Sequence, residues 1–225
     1  MVVENNILIT KQVKRLFKVG DLEVMALRGI SVSIKQGEFV VITGRNGSGK
    51  STLLRILGLL DVPTEGSILL NGKEVSKMRE LERSKLRLKQ LGYIFQEYAL
   101  VAELTALENI MLPAMMLKPI ADCRKRAKEL LKKVGLEKKA ENLPRQLSGG
   151  EQQKVAIARA LVNNPEIIFA DEPTANLDTT AAKGVLELFQ HLHHDEGHTV
   201  VMITHEPEET SVADRVVQLS DGKLV

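Results

Sequence analysis

Three short stretches of this sequence combine residue types suited to handling phosphate. In GRNGSGKST, residues 44–52, Gly44 is followed after four residues by Gly49, Lys50 and Ser51. Glycines let successive backbone N–H groups turn inward around phosphate oxygens, and a helix start adds positive potential there. In this pattern the lysine, Lys50, reaches the β- and γ-phosphates of a nucleoside triphosphate, and the Ser51 hydroxyl ligates Mg²⁺. The candidate cradle is therefore Gly44, Arg45, Asn46, Gly47, Ser48, Gly49, Lys50, Ser51 and Thr52.

The second stretch, EIIFADEP, ends an apolar strand in Asp171-Glu172. Parallel sheets keep their ligands at the carboxyl ends of strands. Asp171 suits a hard cation such as Mg²⁺, and Glu172, one residue on, suits a general base for an attacking water. Alone, an acidic pair after a strand more often opens a solvated loop. A phosphate loop in the same chain reverses that weighting.

The third stretch is LSGGEQQ, residues 147–153. Its plain reading is a capping box, Ser148 to Glu151, that starts the helix EQQKVAIARAL. Ser148, Gly149 and Gly150 also present N–H groups at a helix start, which is a second anion site. Two such starts far apart in one chain suggest that one of them serves another chain's nucleotide.

Positioning these groups requires a particular set of elements. ILITKQVKRLF and ALRGISVSI alternate apolar and polar residues at period two, predicting antiparallel strands. FVVIT, residues 39–43, is a short apolar run typical of a strand buried on both faces, and it leads straight into the phosphate loop. SILLNGKEV carries Asn71-Gly72, a tight-hairpin signal. Residues 77–90 read as helix and 91–95 as strand. From about 97 to 160 the reading is nearly all helix, with a capping box from Thr105 to Glu108 and Gly135 closing a helix that begins near Ala121. EIIFA, a helix from Thr179 to about His194, TVVMIT and VVQLS then alternate strand and helix, which implies a mainly parallel sheet. The expected architecture is α/β: a P-loop NTPase core, an N-terminal antiparallel β lobe and an inserted helical lobe. One domain spans 1–225, with β lobe and core over 1–96, the helical lobe over about 97–160 and the core resuming over about 161–225.

Composition narrows the function classes. Lys and Arg number 31 against 29 Asp and Glu, a net charge of +2, so no nucleic-acid partner is expected. The sole cysteine, Cys123, sits in a charged helical stretch without ligand-spaced partners and reads as a passive thiol in a reducing compartment. The start MVVENNILIT lacks the pattern of a secretory signal. LLRILGLL and IMLPAMML fall short of the roughly 20 apolar residues of a spanning helix, so any membrane role is expected to come through a partner.

Taken together, these motifs resemble the ATP-binding subunits of ABC transporters over essentially the whole chain, in that family's order. GRNGSGKS resembles Walker A, Gln96 in YIFQEY the Q-loop, LSGGE the signature, IIFADE Walker B, NLD at 176–178 the D-loop, and His205 in MITHE the switch histidine. Phe17 stands where the family places an aromatic residue that stacks on adenine. The resemblance implies ATP and Mg²⁺ as ligands, with Lys50, Gln96, Glu172 and His205 as catalytic residues and Ser51, Gln96 and Asp171 around the metal. It also implies a head-to-tail homodimer in which Ser148, Gly149, Gly150 and Asp178 of one copy complete the other copy's site. An integral membrane permease would be the further partner, holding the chain at the cytoplasmic face of the membrane. DVPTEGSILLNG, ELTALENI and LSGGEQQ look most like the group serving lipoprotein release, macrolide export and cell division. Arg45-Asn46 replaces the more usual Pro-Ser of that group, and Ala175 a commoner Gly or Ser; neither change removes a catalytic group.

Two other functions share parts of this pattern. A soluble relative acting on DNA or ribosomes would carry a coiled-coil insertion or a second motif set, whereas here the Gln96–Ser148 segment is short and one motif set is present. A cell-division type regulator, signalling through a membrane complex without transport, would share every catalytic residue. The end at Val225 leaves no expected room for an appended regulatory domain. Three features carry plainer readings. His191, His193, His194 and His198 cluster near a helix end and are expected to be solvated rather than metal-bound. IMLPAMML is expected to be mostly core, with Met111, Met115 and Met116 also suited to a partner's helix. RKRAKELLKK reads as a solvated helix face.

Overall fold

In the computed structural model, which describes residues 5–20 and 22–225, the elements run in the following order. The first group is β1 (Asn6–Val19), β2 (Leu22–Ile30), β3 (Ser33–Lys35), β4 (Phe39–Thr43), α1 (Lys50–Leu57), β5 (Glu65–Leu70), β6 (Lys73–Glu74), α2 (Glu80–Gln90) and β7 (Leu91–Ile94). Then come α3 (Ala106–Met115), α4 (Ile120–Lys133), α5 (Gly149–Leu161), β8 (Ile167–Asp171), α6 (Thr179–His194), β9 (Thr199–Ile203), β10 (Arg215–Ser220) and β11 (Lys223–Leu224).

The runs FVVIT, IIFAD and TVVMI are the innermost strands because, apart from a polar residue at one end of each, their side chains are apolar on both faces. They lie in a sheet of order β11-β10-β4-β9-β8-β7, parallel throughout except for β11. Period-two alternation splits their side chains between two cores. Phe39, Val41, Ile168, Ala170, Val200 and Met202 pack with α3, α4, α5 and α6. Val40, Ile42, Ile167, Phe169, Val201 and Ile203 pack on the other face with α1 and the N-terminal strands. Those strands form the second sheet, β2-β1-β5-β6 with β3 on β1, antiparallel at every pairing. Its β5–β6 hairpin turns at Asn71 and Gly72, both with positive φ (50° and 73°), as the dipeptide requires.

Helix boundaries follow their caps. Thr105 and Glu108 form the expected box at α3, Thr105 Oγ1 accepting from Glu108 N–H at 3.2 Å. Gly135, at φ +75°, ends the α4 segment, with Leu136 N–H donating to Leu131 O at 2.8 Å. Asp178 caps α6 by accepting Ala181 N–H at 2.9 Å.

Some boundaries differ from the sequence expectation. The helix expected from residue 77 begins at Glu80, and the strand expected to 95 ends at Ile94. Residues 97–160 are less helical than their pattern suggests. After Gly135 the chain makes only two single 3₁₀ turns, Glu137–Lys139 and Pro144–Gln146, before α5. Gly135 and Pro144 interrupt the backbone there, and the apolar residues Leu136 and Leu147 are buried without a helix around them.

A candidate nucleotide site at the carboxyl edge of the parallel sheet

Strand register brings the candidate residues to one edge. Ile94 pairs with Ala170, Asp171 with Ile203, and Ile203 with Ile42. Gln96, Glu172, His205 and Gly44 each follow one of these residues by two positions, so they emerge side by side where the strands end.

The loop after β4 can be built only with glycine at its critical positions. Gly44 has φ +151°, and a Cβ there would lie 2.2 Å from Leu219 O. Gly49 sits at φ +103°, with Ala26 O 2.6 Å from where its Cβ would stand. Gly49 is the N-cap of α1 and offers no side-chain cap, so the first N–H groups of the helix remain open toward the loop. Lys50 is buried and arches back over the loop, its Nζ donating to Gly44 O at 2.8 Å and Arg45 O at 3.2 Å. Ser51 Oγ faces Asp171 Oδ1 at 3.4 Å. Burial pushes the Asp171 carboxyl above the usual carboxylate range, and the neighbouring Glu172 charge pushes it further, while the Ser51 hydroxyl opposes the rise.

Glu172 holds an unusual backbone conformation for a side-chain-bearing residue, φ 43°. Its N–H donates to Ile203 O at 3.1 Å, and its Oε2 lies 3.1 Å from His205 Nδ1. A cavity of about 500 Å³ opens over the loop, lined by Asn46, Gly47, Gly49, Lys50, Ser51, Thr52, Gln96 and Glu172. Val24, Met25 and Ala26 of β2 close its other wall. Sequence reasoning missed those three because nothing in their type or spacing marks them. They reach the loop through the pairing of β2 with β1 and through the turn at Gly222, whose N–H donates to Ser48 O at 3.0 Å while its O accepts Arg28 N–H at 2.8 Å. Phe17 pairs with Val24 across that ladder and is half-buried, with the Arg15 guanidinium 4.5 Å from its ring centroid.

The Ser148–Gly150 helix start is not part of that wall. Gly149 instead packs where a Cβ would meet Tyr98 Oη at 2.9 Å and Leu177 at 3.4 Å. Tyr98 Oη donates to Asn176 O at 3.3 Å, and Asn176 Nδ2 to Gln96 O at 3.1 Å, so the segments after β7 and β8 are tied together beside it.

The model of the ABC transporter family matches residues 27–175. The chain belongs to the ABC transporter family. An uncharacterised ABC transporter ATP-binding protein of Methanocaldococcus jannaschii is 48% identical over 96% of both chains. The lipoprotein-releasing system ATP-binding protein LolD of Aquifex aeolicus is 51% identical over 88% of this chain and 89% of its own. The macrolide export ATP-binding/permease protein MacB of Mannheimia succiniciproducens is 47% identical over 98% of this chain, which spans 34% of that longer protein. A solved dimeric ATP-binding cassette in a post-hydrolysis state, bound to ADP and Pi, superposes with a TM-score of 0.90 at 41% identity over 96% of each chain. The P-loop α/β fold and the resemblance to the lipoprotein-release and macrolide-export group, both expected from sequence, agree with these relatives.

The minor features resolve by packing. Contrary to the expectation for a helix end, His193 is buried, its ring edge-on to Phe39 and its Nε2 3.2 Å from Asp214 Oδ2. One face of the end of α6 lies against β4 and buries His193, while His191 and His194 on the other face are exposed. Of the methionines, Met111 is core while Met115 and Met116 are exposed. Cys123 is fully buried among apolar side chains. Among the described residues, no helix is long and apolar enough to cross a membrane.

Proposed function

We propose that this chain is the ATP-binding and ATP-hydrolysing subunit of an ABC transporter, driving a separate membrane permease from the cytoplasmic face. The observation that carries this reading is the meeting of Glu172 and His205 at 3.1 Å beside a cavity lined by the phosphate loop and Gln96. In it the open N–H groups of the loop and Lys50 hold the β- and γ-phosphates, and Phe17 stacks on adenine. Ser51, Asp171 and Gln96 offer the hard oxygen donors that Mg²⁺ takes, and the Ser51–Asp171 approach of 3.4 Å suits a cation between them. When bound, the cation neutralises charge on the phosphate oxygens. Glu172 accepts the proton of the attacking water, and His205 orients that water and the γ-phosphate. Two copies pair head to tail, so that Ser148, Gly149, Gly150 and Asp178 of each complete the other's site. The whole chain works as one domain, with its helical lobe over about 97–160.

The permease site in this reading is a groove of about 760 Å³ between α2, the end of α3, α5 and β7. Leu81, Leu88, Pro113, Met116 and Leu117 make it apolar, and exposed methionine adapts readily to a partner helix. Purifying the chain from membranes and identifying the integral protein that accompanies it tests this, and separates transport from regulation of a membrane complex.

For the chemistry, Glu172→Gln is expected to cut ATP turnover by about 10²- to 10⁴-fold, the usual worth of a general base, while nucleotide affinity stays at the parental value. Turnover at the parental rate would remove Glu172 from the base role.

A further inference from the structure

Beneath the exposed contact of Glu172 with His205 lies a second link between the same two segments. Thr174 Oγ1 donates a hydrogen bond to Glu209 Oε1, and each of these residues is only 6% exposed. Thr174 shares a tight turn with Glu172: Ala175 N–H donates to Glu172 O at 3.2 Å and Leu177 N–H to Thr174 O at 3.0 Å. Glu209 follows His205 in the 3₁₀ helix Pro207–Val212, where its N–H donates to Glu206 O at 3.2 Å. The two segments therefore meet twice, once at the cavity rim and once in the interior.

A buried carboxyl group is an expensive way to fill space. Among the described residues Glu209 Oε2 has no hydrogen-bond partner, and Thr174 is the side chain that serves its other oxygen. An apolar pair of similar volume would pack there at lower cost, so this pair is poorly explained by stability alone. What it does supply is a directional tie, one that holds only when the two turns are in a single register.

We propose that Glu209 and Thr174 are positioning residues whose buried hydrogen bond sets the Glu172 carboxylate against the His205 ring. The proposal rests on the reading of Glu172 and His205 as the hydrolytic pair. On the amino-terminal side, Glu172 is anchored by its N–H to Ile203 O. On the carboxyl-terminal side, the Thr174–Glu209 bond is the anchor that reaches the His205 segment. Losing it lets the two turns slide past each other, and misplacement of reacting groups by about 1 Å costs on the order of a hundredfold in rate.

The test uses the full chain, with turnover measured across ATP concentrations and affinity measured with a fluorescent ATP analogue. Glu209→Ala and Thr174→Val are each expected to lower kcat about tenfold with KM and analogue affinity unchanged, and the double variant to be no worse than either single one. Glu209→Gln keeps the accepting oxygen and is expected to restore kcat to within about twofold of the parent. Should Glu209→Ala fail to fold, Thr174→Val carries the same test with almost no change of shape. Parental kcat in Thr174→Val, equal losses in Glu209→Gln and Glu209→Ala, or a kcat loss that merely follows lost folded protein would each overturn the proposal. A parental chain without any turnover would instead overturn the hydrolytic reading, and this one with it.

Discussion

Two helices in this protein begin with glycine-rich turns, and the fold leaves the two starts in opposite states. At α1 the N-cap is Gly49, no side chain caps the helix, no acid stands in its first turn, and Lys50 is the first helical residue. At α5 Ser148 Oγ accepts Glu151 N–H at 3.3 Å, and Glu151 Oε2 accepts Ser148 N–H at 2.9 Å. That bond to the Ser148 N–H holds the Glu151 carboxyl below its ordinary range. The first start is uncapped and free of acidic side chains, as the proposed phosphate-binding role requires. The second already contains its own anion, and only the N–H groups of Gly149 and Gly150 lie outside the box. On the proposed reading, the difference means that α1 captures phosphate unaided, whereas α5 adds to a nucleotide held elsewhere and is poorly equipped to recruit one.

The sharpest break of that comparison separates binding from dimerisation. Lys50→Ala is expected to weaken nucleotide affinity about a hundredfold and so abolish the ATP-dependent dimer as well. Ser148→Arg should leave single-chain affinity for a fluorescent ATP analogue within about twofold of the parent, yet abolish the dimer in light scattering. Equal loss of affinity in both variants would mean that the two starts serve one chain's nucleotide.

A second break comes from substitutions at the helix starts themselves. Gly49→Ala places a Cβ 2.6 Å from Ala26 O at φ +103° and should abolish nucleotide binding and lower Tm together. Glu151→Ala dismantles the box at α5 and should cost about 1 kcal/mol in denaturant unfolding, with analogue binding unchanged. A Glu151 variant that lost analogue binding would contradict the asymmetry.

The smallest expected effect on stability comes from the loop's acidic partner. The Asp171 carboxyl is pushed up by burial and by Glu172, so its ionised form opposes folding at neutral pH. The native state binds that proton more tightly than the unfolded chain does. Stability withheld at neutral pH is therefore regained as pH falls through the raised value. Asp171→Asn should raise Tm by about 2 °C at neutral pH without Mg²⁺ or nucleotide, flatten that part of the pH dependence, and remove Mg²⁺-dependent turnover. An unchanged or lower Tm would show that Asp171 carries no such strain.

Much of this site was legible in the chain because its chemistry depends on local order. Gly44, Gly49, Lys50 and Ser51 lie on one loop and one helix turn, so their spacing encodes the geometry directly. Asp171 and Glu172 were legible because the end of an apolar strand marks where its ligands sit. The capping boxes at Thr105 and Ser148 were equally local. What stayed hidden depends on contacts across long separations in sequence. Ala26 constrains Gly49, Thr174 faces Glu209, and His193 is buried against Phe39 and Asp214. No periodicity announces such pairs.

Sequence alone determined which residues could handle phosphate, that a strand must precede the loop, and where the capped helices begin. Those are properties of dihedral freedom, hydrophobic period and short-range hydrogen bonding. Tertiary structure decided that Gln96, Glu172, His205 and the loop share one edge, because only the register of β4, β7, β8 and β9 sets their strand ends level. It also decided that the two glycine-rich starts differ, one open and one closed by its own glutamate, since capping depends on where side chains come to rest in the folded chain.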